Sequence, residues 1–185
     1  MKLPAKTRIV ALIAVLTTAW IGASAQAVNS GAQTIMLNAT LSESVSLTLS
    51  ANAVNFNLTA GSANNPGSTS ITATTTWALR PNRGSLSVYA FFANSASALS
   101  DGAGNNIPST DFQISDNGAA FQALTSTVPF GGAIAGLQLA NVRILGNNKQ
   151  GSRTDTMNFN INLGTLPSLP AGVYSGTLTI QVQVI

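Results

Sequence analysis

Chemistry has few places to start in this chain. Its acids are Glu43, Asp101, Asp111, Asp116 and Asp155, and it contains neither Cys nor His. Without imidazole or thiolate, no His-based triad, no Cys nucleophile and no thiolate or imidazole metal site can be built. Asp111 and Asp116 are the one pair of acids within a few residues of each other, and carboxylate-pair catalysis needs a fixed separation that sequence spacing in loops does not establish. The run Asp101-Gly102-Ala103-Gly104-Asn105-Asn106 is rich in oxygen but lacks the spaced acids and closing Glu of a calcium loop, so it reads as a solvated turn. There is no Gly-x-Ser-x-Gly elbow, phosphate-cradling loop or Ser-x-x-Lys motif. Lys149 with an Asn could form an amide cross-link, and Asn38-Ala39-Thr40 and Asn57-Leu58-Thr59 fit glycosylation sequons, but chance supplies both patterns in so Asn- and Thr-rich a chain. The expectation is no enzyme, no metal and no small-molecule cofactor.

Charge narrows the partners. The 185 residues carry a formal +3, yet Lys2, Lys6 and Arg8 account for all of the excess. They precede an apolar run from Ile9 to about Ile21 and the small residues Gly22 to Ala27, the pattern of a secretory signal peptide. The run is short for a membrane span, which needs about 20 residues. Residues 1–25 are therefore expected to be a leader, cleaved there or after residue 27. Beyond it, Arg80, Arg83, Arg143, Lys149 and Arg153 balance the acids one for one. A neutral chain gives no reason to expect nucleic acid, and a Ser, Thr, Asn and Gln surface offers little repulsion between copies.

The elements that must position any site are strands, because the apolar residues fall at period two. Thr34 to Leu41 alternates, with Ile35, Leu37, Ala39 and Leu41 on one face. Ser44 to Ser50 places Val45, Leu47 and Leu49 inward, and Val54, Phe56 and Leu58 continue the pattern. Residues 61–69 read as a loop. Ile71 to Leu79 and Leu86 to Phe92 alternate on either side of Pro81-Asn82-Arg83-Gly84, which predicts a hairpin. Residues 94–110 read as a long polar loop, followed by short strands near 112–115 and 121–125, a strand over 137–145, and another over 157–163. Gly172 to Ile185 reads as one strand, with Tyr174, Leu178, Ile180, Val182 and Val184 on one face. About seven strands and no amphipathic helix predict an all-β, two-sheet sandwich of immunoglobulin type.

The stretch Leu169-Pro170-Ala171-Gly172-Val173-Tyr174-Ser175-Gly176 and the alternating residues after it resemble the final strand of chaperone–usher fimbrial subunits and of related spore-coat-U-like secreted proteins. The layout of residues 29–49, an exposed stretch before two alternating strands, matches as well. Absence of Cys resembles the colonisation-factor class of fimbriae.

That resemblance implies an incomplete sandwich over residues 44–185 and an N-terminal extension, residues 26–43, acting as a donor strand. Ile35, Leu37, Ala39 and Leu41 would enter the groove of a neighbouring copy, a case of strand addition, and Tyr174, Leu178, Ile180, Val182 and Val184 would belong to the strand that accepts the donor or contacts a chaperone. The partners implied are the chain itself, head to tail, with a periplasmic chaperone and an outer-membrane usher. The product would be a secreted, cell-surface fimbria or coat. The pattern alone equally allows Thr34 to Leu41 to be the first strand of its own sheet, in a monomeric secreted module that binds carbohydrate or a surface. Trp77, Tyr89, Phe91 and Phe92 could line such a surface, although core packing is the simpler role, and by parity Phe91 is the better candidate for exposure.

Overall fold

The computed structural model describes residues 30–185, so the expected leader lies outside the described residues. The chain divides into two compact units that part between Thr40 and Leu41. In the first, residues 30–40 belong to no strand and are exposed throughout.

Among the described residues, all regular structure lies in the second unit. Its strands are β1 (Ser44–Leu49), β2 (Asn65–Pro66), β3 (Ile71–Ala78), β4 (Ser85–Phe91), β5 (Leu99–Ser100), β6 (Asn106–Ile107), β7 (Phe112–Asp116), β8 (Gln122–Ala123), β9 (Gly136–Arg143), β10 (Gln150–Ile161) and β11 (Thr179–Val184). One antiparallel sheet runs β1-β3-β10-β7-β8, with β2 also on β10. The other runs β11-β4-β9, and β5 and β6 form a small separate pair.

Period-two alternation makes each strand amphipathic, and the sheets bury their apolar faces against one another. On β3, Ile71, Ala73, Thr75 and Trp77 are buried while the residues between them are not. Two clusters result. Ile71, Met157, Phe159 and Ile161 of the first sheet meet Ala90 and Phe92 in one. In the other, Trp77 meets Leu86, Val88 and Ala140 of the second sheet. Trp77 also donates its indole N–H to the Asn148 carbonyl at 2.9 Å. The chain is thus an all-β sandwich of antiparallel sheets.

Several expectations need correction. β3 and β4 are not a hairpin, because β3 pairs with β1 and β10 whereas β4 pairs with β11 and β9. The chain turns a corner from one sheet to the other at residues 79–84. β3 has one buried face and β4 is buried on both, and a reversal through Pro81 and Gly84 serves either arrangement equally. β10 begins at Gln150 rather than near Met157, its early alternation hidden because the inward Asp155 is charged and fully buried. The supposed loops 61–69 and 94–110 carry β2 and the β5–β6 pair, and the latter segment buries Ala98 and Ile107. Conversely, residues 172–178 form no strand. Their one ladder contact is the Ser175–Ser100 bridge, and residues 51–58 have one in Phe56–Gly67.

Candidate functional site

The two stretches that alternate without forming a strand line the same groove, with a volume of about 690 Å³. Leu49 at the end of β1 and Val54, Phe56 and Leu58 after it line one side, and Tyr174 and Leu178 leading into β11, with Ile180 inside it, line the other. Phe92, Phe112, Met157, Phe159 and Ile161 lie beneath. Phe112 is the centre of that floor, edge-on to Phe92 at 5.1 Å between ring centroids and to Phe56 at 6.0 Å.

A groove with an apolar floor of this kind is a place where the sandwich is open. β1 and β11 each have a strand on one side only. The register sets Val45 and Leu49 opposite Trp77 and Ala73, on the inner face, yet they are 41% and 43% exposed. Inward-facing aliphatics are normally covered; here these two are left only partly covered.

Of the residues singled out from the sequence, Tyr174, Leu178 and Ile180 line the groove. Val182 and Val184 do not, and pack instead beside the Trp77 cluster at the other end of β11. Ile35, Leu37, Ala39 and Leu41 are all exposed, Leu37 at 88%, and pair with no strand. The groove side from Leu49 to Leu58 was not anticipated as a site, although the alternation of Val54, Phe56 and Leu58 was the signal for it.

Buried amides and small residues hold the groove in shape. Asn65 accepts from the Thr59 N–H at 2.7 Å and donates to the carbonyls of Ser62 and Ile161 at 2.9 and 2.8 Å. Its own N–H donates to Asn160 Oδ1 at 2.8 Å. This ties the chain just after Leu58 to β10. On the opposite side, Gly176 crosses so close to the Ala98 carbonyl that a Cβ there would collide with it. The Tyr174 hydroxyl donates to the Pro170 carbonyl at 2.8 Å, fixing the ring at the turn.

At the corner between β3 and β4 sits a charged cluster. Glu43, the residue before β1, accepts from Arg83 Nε and Nη2 at 2.9 and 2.8 Å and from the Arg80 backbone N–H at 2.9 Å. The paired guanidinium and then the Arg80 N–H hold its carboxyl down at about 2.

The other acids serve structure. Asp155 accepts from Arg153 Nε at 2.9 Å and from Asn117 Nδ2 at 2.9 Å. Nearby Asp116 is pushed above the usual carboxylate value, by burial first and then by the charge of Asp155. Asp101 closes its own turn, accepting from the N–H groups of Ala103 and Asn105, and Thr165 donates to Asp111 at 2.9 Å. Among the described residues no three acids converge as a metal site would require, and no helix is long and apolar enough to cross a membrane. Trp77 and Phe92 are core residues, whereas Tyr89 and Phe91 lie on the other face of β4, against Phe130. No family model matches the chain, and no curated protein matches it.

Proposed function

We propose that the protein is a structural subunit of an extracellular fimbria or coat, polymerising head to tail as the groove of one copy takes up residues 33–41 of the next. The observation that carries this reading is the open groove with its aromatic and aliphatic floor, between two alternating segments that form no strand, in a chain whose exposed N-terminal stretch alternates in the same way. The side from Leu49 to Leu58 and the segment 33–41 are nearly equal in length, about 30 Å at roughly 3.3 Å per residue. Burying Ile35, Leu37 and Leu41 offers about 5 to 9 kcal/mol before ordering costs, and backbone hydrogen bonds along the open edges add to it.

The strand order supports an immunoglobulin-like sandwich short of one strand beside β11. A contact between the front of one copy and the back of the next is heterologous and does not close, so it builds a filament. On this reading the role is structural and not catalytic. Residues 1–25 direct export, and a periplasmic chaperone and an outer-membrane usher handle the subunit on its way to the cell surface.

The test is an unboiled denaturing gel of the exported protein beside a boiled sample, with and without residues 26–42. A ladder of multiples that collapses on boiling and vanishes with the deletion is expected. A single monomer band from the unboiled full-length protein would overturn the reading.

A further inference from the structure

The groove can in principle be approached by two segments of identical sequence, the extension of a second copy and the chain's own. We propose that Glu43, clamped to the corner between β3 and β4, is a positioning residue that keeps residues 33–41 from doubling back along their own β1 and so commits them to another copy. This rests on the donor-strand reading above.

The argument turns on side-chain parity. In an antiparallel pair, residues directly opposite share a face. If the chain reversed through Ser42 and Glu43 alone, Leu41 would stand beside Ser44, and Thr40 and Asn38 would oppose Val45 and Leu47. Polar residues would then enter the core side, while Ile35, Leu37, Ala39 and Leu41 faced water. A register slip of one residue inverts this. Reversal through Ser42, Glu43 and Ser44 sets Leu41 against Val45, Ala39 against Leu47 and Leu37 against Leu49, covering the inner-face aliphatics that β1 leaves exposed. The short reversal with the correct parity therefore puts Glu43 at its apex.

The clamp opposes that reversal. Glu43 holds both Arg83 nitrogens and the Arg80 N–H, and Arg80 Nε lies 3.7 Å from its second oxygen. Ser44, which the reversal would also consume, is in ladder register with Ala78. Three-residue loops also ask for a left-handed residue, usually Gly, and none of Ser42, Glu43 and Ser44 is one. In a chain this poor in charge, two of the five cations beyond the leader, Arg80 and Arg83, meet at this one acid.

Because the chain has no Cys, an introduced pair reports the doubled-back state directly. The Ala39→Cys/Leu47→Cys protein, full length after the leader, is oxidised at high dilution in the wild-type, Glu43→Gln and Arg83→Gln backgrounds, and in the exchanged Glu43→Arg/Arg83→Glu background. Boiled non-reducing gels then separate intrachain from interchain cross-links, with unboiled gels of the Cys-free versions alongside. Either single neutralisation should raise the intrachain cross-link several-fold and lower the multimers in proportion, and the exchange should return both toward wild type. An unchanged intrachain cross-link in the folded fraction of both single variants overturns the proposal. If a Leu37→Asp chain still forms wild-type multimers, the donor-strand reading itself has failed, whatever the Glu43 variants do.

Discussion

Leu37→Ala separates a side chain that matters within a subunit from one that matters between subunits. In the chain's own unit Leu37 is 88% exposed, so its truncation should move the unfolding free energy of the unassembled subunit by no more than about 0.5 kcal/mol. Seated in another copy's groove, the same side chain would be buried, a change worth about 1.5 to 3 kcal/mol for a leucine. Taking about 2 kcal/mol, with each 1.4 kcal/mol a factor of ten, the donor segment should bind about 30-fold more weakly. The assay is competition. Peptides covering residues 30–42, one with the native sequence and one with the Leu37→Ala change, are titrated into the assembling protein, and the concentration that halves multimer formation is read from unboiled gels. The substituted peptide should need to be about 30 times more concentrated. Equal potency of the two peptides, or a loss of about 2 kcal/mol in the urea unfolding of Leu37→Ala monomer, would refute the reasoning.

Two further predictions concern the frame of the groove and its electrostatics. Asn65→Ala strands the buried Ile161 carbonyl, while water can reach the exposed Thr59 N–H and the half-buried Ser62 carbonyl, so with about 1 to 3 kcal/mol for a buried group left unpaired it should cost about 1 to 3 kcal/mol in urea unfolding; a loss under about 0.5 kcal/mol would mean that water replaces the amide there as well. Because the folded state raises the Asp116 pKa, the protein is stabilised where that carboxyl is protonated and loses this stability as pH rises through the folded value. Asp116→Asn should therefore match wild type near pH 3 and exceed it at pH 7, and a variant less stable than wild type at pH 7 would show the Arg153 attraction to dominate.

The two-sheet architecture was legible because alternation is a direct image of a half-buried strand, and β3 shows it plainly. Pairing was less so. Nothing local distinguishes a hairpin at Pro81–Gly84 from a corner between sheets, since the partners of β3 and β4 are β10 and β11, far along the chain. The groove was half legible. Tyr174, Leu178 and Ile180 stood out by alternation, but alternation says that one face is apolar and not whether the edge is paired, so residues 172–178 were read as strand. Val54, Phe56 and Leu58 carried the same signal unrecognised. The buried Asp155 hid the first half of β10, because its ion pair with Arg153 substitutes for the apolar residue that the pattern leads one to expect.

The attachment of β1 has a mechanical consequence. In a filament joined through residues 33–41, tension would reach each subunit at Glu43 and pull β1 along its own axis. β1 is held to β3 by six residues in register, from Ser44 opposite Ala78 to Leu49 opposite Ala73. A pull along that axis loads the ladder in shear, so its hydrogen bonds share the force and must fail together, whereas a pull across it would open them one at a time. The Glu43 clamp lies at the loaded end, where a strand under tension would first begin to peel.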